Sequence, residues 1–132
     1  MDILIDFDGT CVTHEFPLVG KDIGAAQVLR DLVRNGHRLI LFTMRAEDCS
    51  IQPALDWFAD NGIALFAVQR HPEQHKFTSS PKALGDLMID DTALGGEIVF
   101  VPIEPRLRRL AMGSGGRIAA AGLAYGRAGG AV

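Results

Sequence analysis

Two carboxylates stand one residue apart at the end of an apolar run, Leu4-Ile5-Asp6-Phe7-Asp8, and a glycine follows at once. In an extended chain alternate side chains project to one side, which places Asp6 and Asp8 together with Cα atoms roughly 6–7 Å apart. Like charges so placed repel, and three things can offset the repulsion: a bound cation, a shared proton, or full solvation in a turn. Three further groups have types suited to the same chemistry. Thr43 follows a second apolar run, Asp90-Asp91 follows another, and Lys82 stands between them in the chain. Whether they act together depends on the elements that carry them.

Five short apolar runs read as strands: Ile3-Leu4-Ile5, Arg38-Leu39-Ile40-Leu41-Phe42, Ala64-Leu65-Phe66-Ala67-Val68, Leu87-Met88-Ile89 and Ile98-Val99-Phe100-Val101. They are continuous rather than alternating, as expected for strands covered on both faces. Between the first two, Val28, Leu29, Leu32 and Val33 recur at helical spacing, and Asn35-Gly36 supplies a stop, which predicts a helix over about 24–35. Between the next two, Ile51, Ala54, Leu55 and Phe58 form a second stripe that ends at Asn61-Gly62, with Pro53 tolerable in the first turn. The β-α-β-α-β order predicts a Rossmann-like three-layer α/β fold with a central, mainly parallel sheet, right-handed crossovers, and ligands at the carboxyl ends of the strands. Asp6, Asp8, Thr43, Asp90 and Asp91 then leave their strands at one edge, and Lys82 can reach back to it. Four carboxylates in one crevice call for a hard divalent cation, and oxygen ligands suit Mg²⁺ best. Threonine and lysine suit the anion such a metal accompanies, a phosphoryl group.

Here the residues carry a resemblance. Asp6-Phe7-Asp8-Gly9-Thr10, Thr43, Lys82 and Asp90-Asp91, in that order, resemble the four ordered motifs of the haloacid dehalogenase superfamily of phosphohydrolases, over about residues 2–96. Phe42-Thr43-Met44-Arg45 and Ile89-Asp90-Asp91-Thr92-Ala93-Leu94-Gly95 further resemble its small, capless bacterial and phage members. The resemblance implies a Mg²⁺-dependent phosphatase that cleaves a phosphomonoester through an aspartyl-phosphate. Asp6 would be the nucleophile and Asp8 the general acid/base. Thr43 would hold the phosphoryl oxygens, and Lys82 would neutralise nucleophile and phosphate. Asp90 would bind Mg²⁺ with Asp91 in support, alongside Asp6 and the backbone carbonyl of Asp8. Gly9, Met44 and Arg45 join Thr43 and Lys82 as expected contacts on the phosphate and substrate side.

Chemistry gives those roles reasons of its own. A carboxylate that attacks phosphorus splits one hard displacement into two, and a metal reduces the repulsion between two anions. A second carboxylate beside the first protonates the leaving oxygen and later deprotonates water. Gly9 lets the chain turn sharply and gives backbone amides room to approach phosphate oxygens. Taken singly, Asp8-Gly9 is a common turn dipeptide and Asp90-Asp91 a common helix cap. The order of all of them along the chain is what discriminates. A receiver-like phosphoacceptor module, which is phosphorylated once without steady turnover, is the alternative. Receivers place the acidic pair early, the phosphoacceptor on a later strand and the lysine near the end, whereas here Asp-x-Asp comes first and the acidic pair closes the series.

The rest of the chain narrows the setting. Of 132 residues, 48% are hydrophobic, and no apolar run approaches the ~20 residues of a membrane span. No secretory leader is recognisable, and Cys11 and Cys49, the only cysteines, lack metal-ligand spacing; a cytoplasmic protein with free thiols is expected. Residues 1–105 hold all 16 acidic residues and 8 of the 13 basic ones, so no strong nucleic-acid surface is expected of this hydrolase-like domain. Residues 106–132 hold five arginines and no acid; with seven glycines from Gly113 onward, they read as a poorly ordered basic tail. The 35 residues from Asp8 to Thr43 and the 39 from Thr43 to Lys82 are consumed by the predicted elements, which leaves no room for a cap domain. An open site is then covered by a phosphorylated substrate, small molecule or polymer end, or by a second copy of the chain, with His14, Glu15, Phe16 and Pro17 as expected contacts. His14, Glu15 and Arg45 also lie close enough in sequence to the motifs to touch a leaving group. His71 and His75 lack a partner at ligand spacing, Cys11 reads as a small packing residue rather than a second nucleophile, and His37, just after a helix stop, reads as structural.

Overall fold

The computed structural model describes residues 1–46, 50–94 and 100. Its elements are β1 (Asp2–Ile5), α1 (Ala25–Arg34), β2 (Arg38–Leu41), α2 (Ile51–Asp60), β3 (Leu65–Val68), a single 3-10 turn (Gln74–Lys76), β4 (Leu87–Ile89) and a short α3 (Asp91–Leu94). The strands form one all-parallel sheet in the order β3-β2-β1-β4. This is the Rossmann-like α/β arrangement. The chain steps outward from β1 to β3, then returns across the sheet to lay β4 on the free side of β1. The direction of winding therefore reverses between β1 and β4, and the carboxyl ends of those two strands flank the crevice where open α/β sheets bind ligands.

Both helices stop where the sequence places their stops. Asn35 and Asn61 cap them, and Gly36 and Gly62 follow in the left-handed region at φ 83° and 65°. At the other end of α1, the Asp22 carboxylate accepts from the N–H groups of Gly24, Ala25 and Ala26 at 3.0, 2.9 and 3.3 Å, satisfying donors that the helix itself leaves open. Ile3, Ile5, Leu39, Leu41 and Ile89 pack with Ala25, Leu29, Ala54 and Phe58 in one core. The strand period of two sends Leu4 and Ile40, also buried, to the opposite face.

The return crossover, residues 69–86, contains the 3-10 turn and no longer helix, and it touches that opposite face at Leu4 through Gly85 and at Phe66 through His71. Side chains as well as backbone turns satisfy its backbone polar groups. Gln74 is 2% exposed; its Nε2 donates to the carbonyls of Ser80 and Lys82 at 3.0 and 2.8 Å, and its Oε1 accepts from Leu84 N at 2.9 Å. Gly85 passes so close that a Cβ there would stand 3.0 Å from Leu4 Cγ. At the amino edge of the sheet, Asp2 takes a two-point pair from Arg38 at 2.6 and 2.7 Å and a bond from His71 Nε2 at 3.0 Å. Glu73 N donates to His71 Nδ1, so Nε2 carries the proton. The backbone of Asp2 also exchanges bonds with Asp86.

The hydrogen bond from Arg38 holds the Asp2 carboxyl below its ordinary value, so its contribution to stability is present above that value and fades as the pH falls through it. Asp2→Asn is expected to melt below the wild type at pH 7, with the gap narrowing as the pH falls below 3.8. A constant gap in pH-dependent melts would count against this.

Of the fifth strand expected at Ile98–Val101, only Phe100 lies among the described residues; it is buried in the core. Cys49, Gly95 and the tail 106–132 lie outside the described residues. Among those described, no helix is long and apolar enough to cross a membrane.

Candidate functional site

The alternation of β1 continues past its last residue. Asp6 N still donates to Ile89 O at 3.0 Å, and Phe7 turns into the core against Trp57 and Phe58, with ring centroids 5.5 and 5.9 Å away. Asp6 and Asp8 are thereby presented away from the helix-packed core. The chain then folds back sharply. Gly9 sits at φ 81°, and the carbonyl of Phe7 collects the N–H groups of Thr10, Cys11 and Val12 at 3.2, 2.8 and 3.3 Å. This turn places Thr10, fully buried, beneath Asp6.

Asp6, Asp90 and Asp91 each offer a carboxylate oxygen within 4.8 Å of the others. Thr10 ties them together: its hydroxyl donates to Asp6 Oδ2 at 2.8 Å, stands 3.4 Å from Asp91 Oδ1, and accepts from Asp91 N at 3.1 Å. Burial, followed by the charges of Asp90 and Asp91, pushes the Asp6 carboxyl up to about 6 against the pull of bonds from Phe7 N–H and Thr10. Asp90 Oδ1 accepts from Thr92 N at 2.8 Å, from the Thr92 hydroxyl, and from Ala93 N at 3.4 Å. One oxygen of Asp90 therefore caps α3 while the other remains for a ligand. Three carboxylates this close, one of them resisting ionisation, form a donor set that fits a hard divalent cation such as Mg²⁺.

Gly9 is required twice over. A Cβ at this position would lie 2.8 Å from Asp91 Oδ2, and the positive φ is unfavourable for any residue with a side chain. Gly9→Ala is expected to cost about 1–2 kcal/mol of stability and, by displacing Asp91, to weaken Mg²⁺ binding about tenfold or more. Denaturant melts and a Mg²⁺ titration followed by calorimetry test both effects; unchanged Mg²⁺ affinity would refute the crowding argument.

Asp8 takes a different path from its neighbour. Its carboxylate lies outside the three-acid group and accepts from Arg45 at both oxygens, Nε and Nη2 each at 2.7 Å. Arg45 is 1% exposed and spends its remaining donors on backbone carbonyls, which corrects its expected role as a substrate contact: no donor is left to offer. Thr43 lies two residues beyond β2, and its hydroxyl accepts from Arg45 N at 3.2 Å. Its turn is clamped by Gln69, whose amide bonds Thr43 N, Thr43 O and Arg45 O at 3.0, 2.8 and 2.6 Å from a left-handed backbone at φ 63°. Met44 projects entirely into solvent.

Lys82 departs from expectation. It is exposed and, among the described residues, forms no ion pair with any aspartate. The physical reason is the crossover: Gln74 pins the backbone of Lys82 on the segment that enters β4 at its amino end, whereas the acids stand at the carboxyl end. His14, Glu15, Phe16 and Pro17 are exposed on the loop after β1, and Glu15 faces Thr13 at 3.1 Å. Cys11 is buried with its sulfur 3.2 Å from Asp6 O, and burial pushes its thiol well up, as suits a packing residue.

Two residues of the site, Thr10 and Gln69, hold roles that the sequence alone does not assign. Thr10 was in view in Asp-Phe-Asp-Gly-Thr, and its place just after the turn glycine was the available signal. Gln69 carried none, because a glutamine after a strand is ordinary and its role depends on a partner 26 residues away.

Fold and site together define an α/β protein with a carboxylate centre at the switch point of a four-stranded parallel sheet. No family model matches the chain, and no curated protein matches it. Among solved structures, a conserved protein from Bacteroides thetaiotaomicron is similar, with 36% sequence identity and a TM-score of 0.65 over 78% of this chain and 82% of that one. The chain belongs to the same family as that protein.

Proposed function

We propose that the protein is a Mg²⁺-dependent phosphomonoester hydrolase of the haloacid dehalogenase type. The observation that carries this reading is the group of Asp6, Asp90 and Asp91 at the switch point, with Asp6 pushed up to about 6. Thr10 holds Asp6 Oδ2 and fixes the rotation of the carboxylate, which leaves Oδ1 to attack phosphorus. The new bond joins Asp6 to phosphorus while the ester oxygen departs with a proton from Asp8; water then attacks the same phosphorus, gives its proton to Asp8, and releases phosphate and free Asp6. A bound Mg²⁺ supplies charge compensation between the carboxylate and the phosphate. Thr43, held by Gln69 at the end of β2, offers its hydroxyl to a phosphoryl oxygen.

One observation favours the receiver-like alternative: Asp8 is engaged by Arg45, so an aspartyl-phosphate formed on Asp6 would wait for its hydrolysis. Purified protein with Mg²⁺ should be screened across sugar phosphates, nucleotides, aryl phosphates and phosphorylated polymer ends, with acid quenching to trap phosphoenzyme. Steady release of phosphate beyond one equivalent supports the hydrolase. Labelling that stops at one equivalent supports the phosphoacceptor, and neither product with any substrate rejects both.

A further inference from the structure

Arg45 is the largest of the fully buried side chains, and each of its five N–H groups has a partner within the protein. Nε and one Nη2 hydrogen reach the two oxygens of Asp8; the second Nη2 hydrogen takes Leu18 O at 2.8 Å; Nη1 takes Pro17 O at 3.3 Å and Ser50 O at 3.1 Å. Its central carbon lies 5.3 Å from the ring centroid of Phe7 and 5.2 Å from that of Phe16. A planar fork meets a carboxylate at two points and stacks on aromatic rings, which lysine does not reproduce. With no N–H group left over, the Arg45 side chain acts on chemistry through the groups it holds, Asp8 and the carbonyls of Pro17, Leu18 and Ser50.

The same guanidinium grips a loop. Thr13 and Lys21 close its base through Thr13 N to Lys21 O at 2.8 Å and Lys21 N to Thr13 Oγ1 at 2.9 Å, and Leu18 N closes its tip on Glu15 O at 2.9 Å. Phe16 and Leu18 stand at that tip, 52% and 69% exposed. For Asp8 to turn toward the leaving oxygen of a phosphate under attack by Asp6, it must either abandon two charge-assisted bonds and leave a buried cation unpaired, or carry Arg45 with it and pull on the carbonyls of Pro17, Leu18 and Ser50. The first route is costly. The second ties the carboxylate to the loop.

We propose that Arg45 is a positioning residue that couples the orientation of Asp8 to the Phe16–Leu18 loop, so that this loop governs proton transfer to the leaving group. The proposal rests on the phosphohydrolase assignment of Asp6 and Asp8. It makes loop position, rather than a cap domain, the element that sets when the acid is available.

The test is a double-mutant cycle of Asp8→Asn and Arg45→Lys with two Mg²⁺-dependent substrates. One is an aryl phosphate whose phenol leaves without a proton; the other is an alkyl phosphate whose alcohol needs one. Hydrogen exchange at the Leu18 amide is measured in each variant. Arg45→Lys is expected to lower kcat for the alkyl phosphate about 100-fold, change the aryl phosphate less than about threefold, and add nothing further in the Asp8→Asn background. Exchange at Leu18 should accelerate about tenfold or more in both single variants. Equal losses on both substrates, losses that multiply in the double variant, or unchanged Leu18 exchange in Asp8→Asn overturn the coupling while the hydrolase assignment stands. A wild type that neither turns over nor forms phosphoenzyme overturns both. If Arg45→Lys does not fold, Phe16→Ala, which keeps the ion pair and removes the ring from the guanidinium, must show the same selective loss on the alkyl phosphate and faster Leu18 exchange.

Discussion

Asp6→Asn is expected to eliminate phosphate release and phosphoenzyme formation, yet to melt above the wild type in Mg²⁺-free buffer at pH 7. The two effects share one cause. The Asp6 carboxyl is raised to about 6 by burial and by Asp90 and Asp91, so ionising it in the folded protein is unfavourable and the unfolded chain gains from its release. An amide of nearly the same shape keeps the Thr10 bond to its carbonyl oxygen and removes the charge, but it does not attack phosphorus and ligates a cation poorly. Asp8→Asn should move stability the other way, because it leaves a buried guanidinium with half its partner. Calorimetric melts of both variants with and without Mg²⁺, beside a phosphate-release assay, separate the outcomes. An Asp6→Asn protein that turned over at the wild-type rate would end the assignment of Asp6. One that melted below wild type without metal would show that the three acids are not in mutual strain.

The strands and helices were legible because their signals are local. Unbroken apolar triplets and the Asn-Gly stops after α1 and α2 carry their own geometry, and the β-α-β rhythm then dictates parallel pairing. From that rule alone Asp6 and Asp90-Asp91 reach one edge, as the structure places them. What the sequence could not reveal are partners chosen in three dimensions. Arg45 and Asp8 are 37 residues apart, and nothing in Thr-Met-Arg distinguishes an arginine that reaches out to substrate from one folded inward on the acid. Gln74 and Lys82 present the same difficulty. The expected reach of Lys82 assumed a crossover that brings it to the carboxyl edge, but a glutamine eight residues earlier anchors its backbone near the other end of β4. Side-chain clamps on backbone carbonyls leave no period or spacing to read, and in this fold they decide which polar residues face the crevice.

Removing Mg²⁺ should abolish activity and expose a pH dependence that the metal-loaded protein lacks. The ordinary Asp value is 3.8, and in the folded protein Asp6 is raised to about 6. Below 3.8 the group is protonated in both states and costs nothing. As the pH climbs from 3.8 to about 6, the unfolded chain loses its proton first, so metal-free stability falls across that window and levels off above it. On the proposed assignment Mg²⁺ takes the ionised form, so protons would compete with it over the same range. The rise in melting temperature on adding Mg²⁺ should therefore be small at pH 5, grow through pH 6, and be full by pH 7.5. EDTA should stop turnover at every pH, and Ca²⁺ should bind without restoring it, because its looser, higher coordination does not hold nucleophile and phosphate in line. Melts in EDTA, Mg²⁺ and Ca²⁺ across that pH series, paired with turnover, decide the matter. An equal Mg²⁺-induced rise at pH 5 and pH 7.5 would remove Asp6 from the ligands, and undiminished turnover in EDTA would remove the cation from the chemistry.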